Sequence, residues 1–146
     1  MSRANVKKRK KALAYVSQLH YDGCVVACFA MLAGVSYETA FKFCFPYLHF
    51  DDPRSREMSM LELARALRKF GIKTIKTTKI SKHRNKPFVI SFDWKSGDGG
   101  HCVVWCPTSK RFLDPGYPKT LRNDIYLRAW RFAIRTMTES EALVIV

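Results

Sequence analysis

Three side chains in this sequence could together carry out acyl-transfer chemistry: a cysteine, a histidine and an aspartate far apart along the chain. Cys24 follows the turn-favouring pair Asp22-Gly23 and opens an apolar run that continues to Ala33. A thiol in a first helical turn meets unpaired backbone N–H groups and the positive end of the helix dipole, and both favour thiolate. Cys24 is therefore expected to have a lowered pKa. Cys28, Cys44, Cys102 and Cys106 are expected in apolar surroundings, where free cysteine behaves as a small hydrophobe.

His101 stands after Gly99 and Gly100 on an otherwise apolar stretch, and Asp114 follows a second short apolar stretch. If Pro107-Thr-Ser-Lys110 is a four-residue hairpin loop, Cys106 lies opposite Arg111, Trp105 opposite Phe112, Val104 opposite Leu113 and Val103 opposite Asp114. His101, Val103 and Trp105 then share a face with Asp114, which sits diagonally from His101 at roughly 7–8 Å, within reach of an imidazole. A one-residue slip would move the carboxylate to the other face. His20, His49 and His83 fall in polar loops, and His20 is a secondary candidate only because it is near Cys24. The pairs Cys24-x3-Cys28 and Cys102-x3-Cys106 invite a zinc reading. On a strand, however, residues i and i+4 are roughly 13 Å apart, too far to share one tetrahedral ion. No metal and no cofactor is expected.

The elements that would hold these groups read in order. Residues 1–12 form a flexible basic arm, and residues 13–146 a single domain. The run 24–33 is apolar on every side, which predicts a central buried helix closed by Gly34. A helix with Ser36 as N-cap runs from Tyr37 to Phe45 and stops at Pro46. Ser59-Met-Leu-Glu62 is a capping box opening a third helix, which ends at Gly71. Strands are expected over 72–78, 88–92, 101–106, 111–114 and 142–146, a basic loop over 81–86, and a helix over about 125–135. The fold class is α+β.

The net charge is +14; residues 1–11 contribute six positive charges and no acid, leaving +8 on the body. Arg128, Arg131 and Arg135 recur as one helical stripe. This balance is compatible with weak, non-specific contact to nucleic acid or to an acidic partner. It is equally compatible with a solvated basic surface. No apolar run is long enough for a transmembrane helix or a signal peptide. The odd count of five cysteines argues for reduced thiols in a cytoplasm.

Cys24-Val-Val-Ala-Cys-Phe-Ala-Met-Leu32 resembles the nucleophile helix of the papain-like, bacteriocin-processing (double-glycine leader) cysteine peptidases. Gly100-His-Cys-Val-Val104 is similar to their histidine motif, and Phe112-Leu-Asp-Pro115 to their aspartate motif. The likeness extends over about 15–146. It implies a papain-like fold with the nucleophile helix packed on an antiparallel sheet. By the same resemblance Cys24 would be nucleophile, His101 general base and acid, and Asp114 the group orienting His101. Gln18 and the Cys24 backbone N–H would form the oxyanion hole, and Gly99 and Gly100 would border the substrate. Two positions depart from the family pattern: Gly23 replaces an aspartate and Val25 a glycine. The implied activity is hydrolysis of a peptide or protein substrate. Deamidation, transglutamination and isopeptide cleavage use the same acyl-enzyme, and a non-catalytic basic binding module is the alternative of a different class.

Overall fold

A computed structural model describes residues 12–54, 57–93, 100–116 and 142–146. The basic arm, Gly99, the helix expected over 125–135 and its arginine stripe lie outside these residues.

Three helices and five strands occur among the described residues: α1 (Cys24–Ala33), α2 (Tyr37–Cys44), α3 (Met60–Phe70), β1 (Thr74–Thr77), β2 (Phe88–Asp93), β3 (Gly100–Cys106), β4 (Arg111–Leu113) and β5 (Ala142–Ile145). The basic loop expected over 81–86 is entered by a short 3-10 turn, Ile80–His83. All strand pairs are antiparallel, in the order β1-β5-β2-β3-β4. The chain is thus α+β.

Helix α1 forms where the uninterrupted apolar run predicts, and the residues from Val25 to Met31 are buried. It can be apolar all round because β3, α2 and α3 pack against it. Full burial of Phe29 or Met31 contributes roughly 1.5–3 kcal/mol each. Gly34 ends the helix at φ 69°, a left-handed conformation that a side chain would strain. Ser36 caps α2 by accepting from the Thr39 N–H. In α3 both halves of the capping box form: Ser59 Oγ accepts from Glu62 N, and Glu62 Oε1 accepts from Ser59 N.

Alternation along β3 sends Cys102 and Val104 toward α1, together with Val89 of β2 and Leu143 of β5. Val103 instead joins Phe88, Ile90, Ala142 and Val144 on the opposite face, bordered by Trp105 and Phe112. The β3–β4 register is Val104↔Leu113, Trp105↔Phe112 and Cys106↔Arg111, the one a four-residue loop dictates. Regular pairing stops at Leu113, so Asp114 lies just past the strand end.

Candidate active site

The segment leading into Cys24 is fastened to the residues that follow β4. Tyr15 Oη donates to the Asp114 carbonyl at 2.8 Å, and the Gln18 N–H donates to the Pro115 carbonyl at 2.9 Å. Ser17 Oγ donates to that same Pro115 carbonyl at 3.3 Å. These bonds bring two stretches nearly a hundred residues apart into one place, with the N-terminus of α1 beside the open end of the hairpin.

Asp114 is 5% exposed, and its Oδ1 accepts two hydrogen bonds of 2.7 Å, from His101 Nε2 and from the Gly116 N–H. A carboxylate on Nε2 fixes the ring and leaves Nδ1 as the nitrogen able to exchange a proton with a nucleophile. The Cys24 thiol interacts with the His101 ring and with the thiol of Cys102. Cys24, His101 and Asp114 therefore form one contiguous group. A Cβ on Gly116 would come within 3.2 Å of His101 Cε1 and 3.3 Å of Asp114 Oδ1, so a side chain there would crowd the pair and press it aside by a few tenths of an ångström. Sequence alone marks neither Tyr15 nor Gly116 for the site, and marks Cys102 only as half of a Cys-x3-Cys pair. The run Asp-Pro-Gly is a local signal for Gly116; none marks Tyr15, and none puts Cys102 beside Cys24.

Gln18 is at the site but its amide is committed. Nε2 donates to the carbonyls of His20 at 3.1 Å and Tyr21 at 2.8 Å, which uses both of its hydrogens. Oε1 is buried without a hydrogen-bond partner and lies 3.5 Å from where a Cβ on Gly116 would stand. In this arrangement Gln18 organises the 18–21 turn, and its amide would have to release those carbonyls to reach an oxyanion. The first turn of α1 has no side-chain cap, so the backbone N–H of Cys24 stands at an uncapped helix start. Gly100 opens β3 opposite Asp93.

His20 drops out as a catalytic group. Its Nδ1 pairs with Tyr37 Oη at 2.8 Å and its Nε2 with the Phe50 carbonyl at 2.6 Å. Phe41 and Phe50 pack on the ring with centroids 5.2 and 4.5 Å away. It is a structural residue that ties the turn before Cys24 to α2.

The electrostatics differ from the expectation of a lowered Cys24 pKa. The hydrogen bond with Cys102, followed by burial, pushes the Cys24 thiol well up, and the His101 ring only partly opposes this. A helix dipole contributes about 0.3–1 kcal/mol, less than one pKa unit, so it loses to burial. Burial works to lower the His101 pKa, but hydrogen bonds with Asp114 and Cys24 and the charges of both outweigh it and raise the ring to about 9. At neutral pH the resting site then holds the Cys24 thiol beside a protonated His101. Nor is Cys106 in the apolar setting expected of it. Burial raises its pKa, yet hydrogen bonds with Ser109, Thr108 and the backbone near Leu13 bring it to about 7. Cys106 is 1% exposed, which shields it from reagents.

No protein-family model matches the chain, and no curated protein does either.

Proposed function

We propose that this chain is a papain-like cysteine peptidase, similar in kind to the bacteriocin-processing peptidases. The observation that carries the reading is the 2.7 Å bond from His101 Nε2 to the buried Asp114, with Cys24 at the head of α1 in contact with the same ring. Loss of one proton from the charged His101 leaves a base beside the thiol. Cys24 Sγ, its proton passed to the ring, attacks a substrate carbonyl and forms a tetrahedral oxyanion. The Cys24 N–H at the uncapped helix start is the donor best placed for that oxygen. His101 returns the proton to the leaving amine, and water, deprotonated by the same ring, releases the acid. Asp114 holds one tautomer throughout.

Five cysteines without a disulfide fit a reducing cytoplasmic compartment. No single helix among the described residues is long and apolar enough to cross a membrane. Incubation with a mixed peptide library, read by mass spectrometry, tests the proposal. Cleaved peptides that disappear in Cys24→Ala support it. Deamidated or cross-linked products without cleavage would move the reading to another acyl transfer, and no change in any peptide would favour a binding module.

A further inference from the structure

The acyl-transfer chemistry uses one thiol, but that thiol ends a chain of three. Cys28 Sγ lies 3.4 Å from Cys102 Sγ, and Cys102 in turn interacts with Cys24. Cys28 and Cys102 are 0% and 1% exposed, whereas Cys24 is only partly buried. An oxidant therefore meets Cys24 first, and Cys102 sits between it and Cys28. Among the described residues no group is arranged to hold a metal ion, so ligation does not account for the cluster.

We propose that these residues form an oxidation relay in which Cys24 takes up peroxide, Cys102 resolves it, and the oxidation is stored as a buried Cys28–Cys102 disulfide. In the first step Cys24-SH reacts with hydrogen peroxide to give Cys24-SOH and water. Cys102-SH then displaces hydroxide from that sulfur, forming a Cys24–Cys102 disulfide and a second water. Finally Cys28 attacks Cys102 Sγ, the S–S bond to Cys24 breaks, and Cys24 leaves as the thiol after taking up the proton lost by Cys28. Two thiols are oxidised and one peroxide is reduced to two waters.

The central place of Cys102 makes both exchanges possible, since it touches both partners. Cys24 is the natural leaving sulfur, because the protonated His101 ring it touches can give a proton to the departing sulfur, whereas no such donor among the described residues is in contact with Cys28. Closing 3.4 Å to a disulfide bond of about 2.05 Å requires a shift of side chains between α1 and β3 on the order of an ångström. The relay needs only this thiol geometry and does not rest on the peptidase reading.

The test is disulfide mapping of the full chain after hydrogen peroxide treatment, by alkylation and non-reducing digestion with mass spectrometry. Wild type should yield mainly the Cys28–Cys102 linkage, with Cys24 still alkylatable. Cys28→Ala should stop at the Cys24–Cys102 linkage. Cys102→Ala should carry Cys24 on to sulfinic acid, and Cys24→Ala should lose most of the Cys28–Cys102 product. Wild-type protein that ends with Cys24 over-oxidised, or linked to Cys102, or with no disulfide would overturn the relay. Undiminished Cys28–Cys102 formation in Cys24→Ala would overturn it equally. The wild-type result alone decides if a variant fails to fold.

Discussion

The hydroxyl of Tyr37 occupies the space that a side chain on residue 23 would need. A Cβ built on Gly23 would overlap Tyr37 Oη and lie 3.2 Å from the His20 carbonyl. That hydroxyl is fixed by His20 Nδ1, so it cannot simply move aside. Gly23, one residue before the candidate nucleophile, is thus a consequence of the His20–Tyr37 contact that anchors the turn to α2. Gly23→Ala should destabilise the chain by about 1–3 kcal/mol, the range of overpacking in a filled site. Denaturant unfolding measures this, and a loss below a few tenths of a kcal/mol would show that the turn has room to spare.

The proton inventory predicts reactivity that rises in alkali. With His101 raised to about 9 and the Cys24 thiol pushed up, the reactive form has one proton fewer than the resting site. The two groups titrate as a pair, so the first macroscopic step is the relevant one. Alkylation of Cys24, followed by peptide mapping, should climb with a midpoint near pH 9. Cys102→Ala removes the largest influence holding Cys24 as a thiol and should move that midpoint down. A rate already level at pH 6 would contradict the assignment.

The same shift has a stability consequence. A histidine whose pKa rises on folding, from 6.5 to about 9, binds its proton more tightly in the native state. Its stabilisation is complete below about pH 6.5 and is lost as the pH rises through 9, an effect on the order of 3 kcal/mol. Unfolding free energies measured across pH 6 to 10 should fall further for wild type than for His101→Gln, because the lowered Cys106 thiol and the raised Cys24 and Cys44 thiols act in this window in both chains. The difference between the two curves isolates His101; identical slopes would assign the effect to other groups.

Asp114 accepts both the imidazole and the Gly116 N–H on one oxygen, so Asp114→Asn keeps the size but not the acceptor pattern. Turnover on any accepted peptide should drop by orders of magnitude, as loss of the correct tautomer does in triads, while the far-UV spectrum stays the same. Near-wild-type turnover would remove Asp114 from the site.

What the sequence disclosed, and what it hid, divides by the range of the interactions. Helix α1, the Ser59 capping box and the β3–β4 register follow from neighbours a few residues apart, and they stand where pattern and loop length put them. Register also brings Asp114 near His101, and the turn past Leu113 completes the direct 2.7 Å contact. The Tyr15, Ser17 and Gln18 bonds to Asp114 and Pro115 join residues nearly a hundred positions apart, and no local pattern encodes them. The raised pKa of Cys24 has the same origin. A helix start is visible in sequence, but burial and the Cys102 thiol beside it arise only when β3 packs on α1. Gln18 likewise has a spacing that suggests a donor, while its hydrogens are claimed by two carbonyls of its own turn.

The most direct measurement is labelling by an activity-based electrophile that mimics an acyl substrate, run near pH 9 on wild type, Cys24→Ala and His101→Ala. Wild type should form one covalent adduct at Cys24; Cys24→Ala should form none, and His101→Ala should react far more slowly. An adduct on another cysteine, or equal labelling of Cys24 with and without His101, would contradict a Cys24–His101–Asp114 catalytic site.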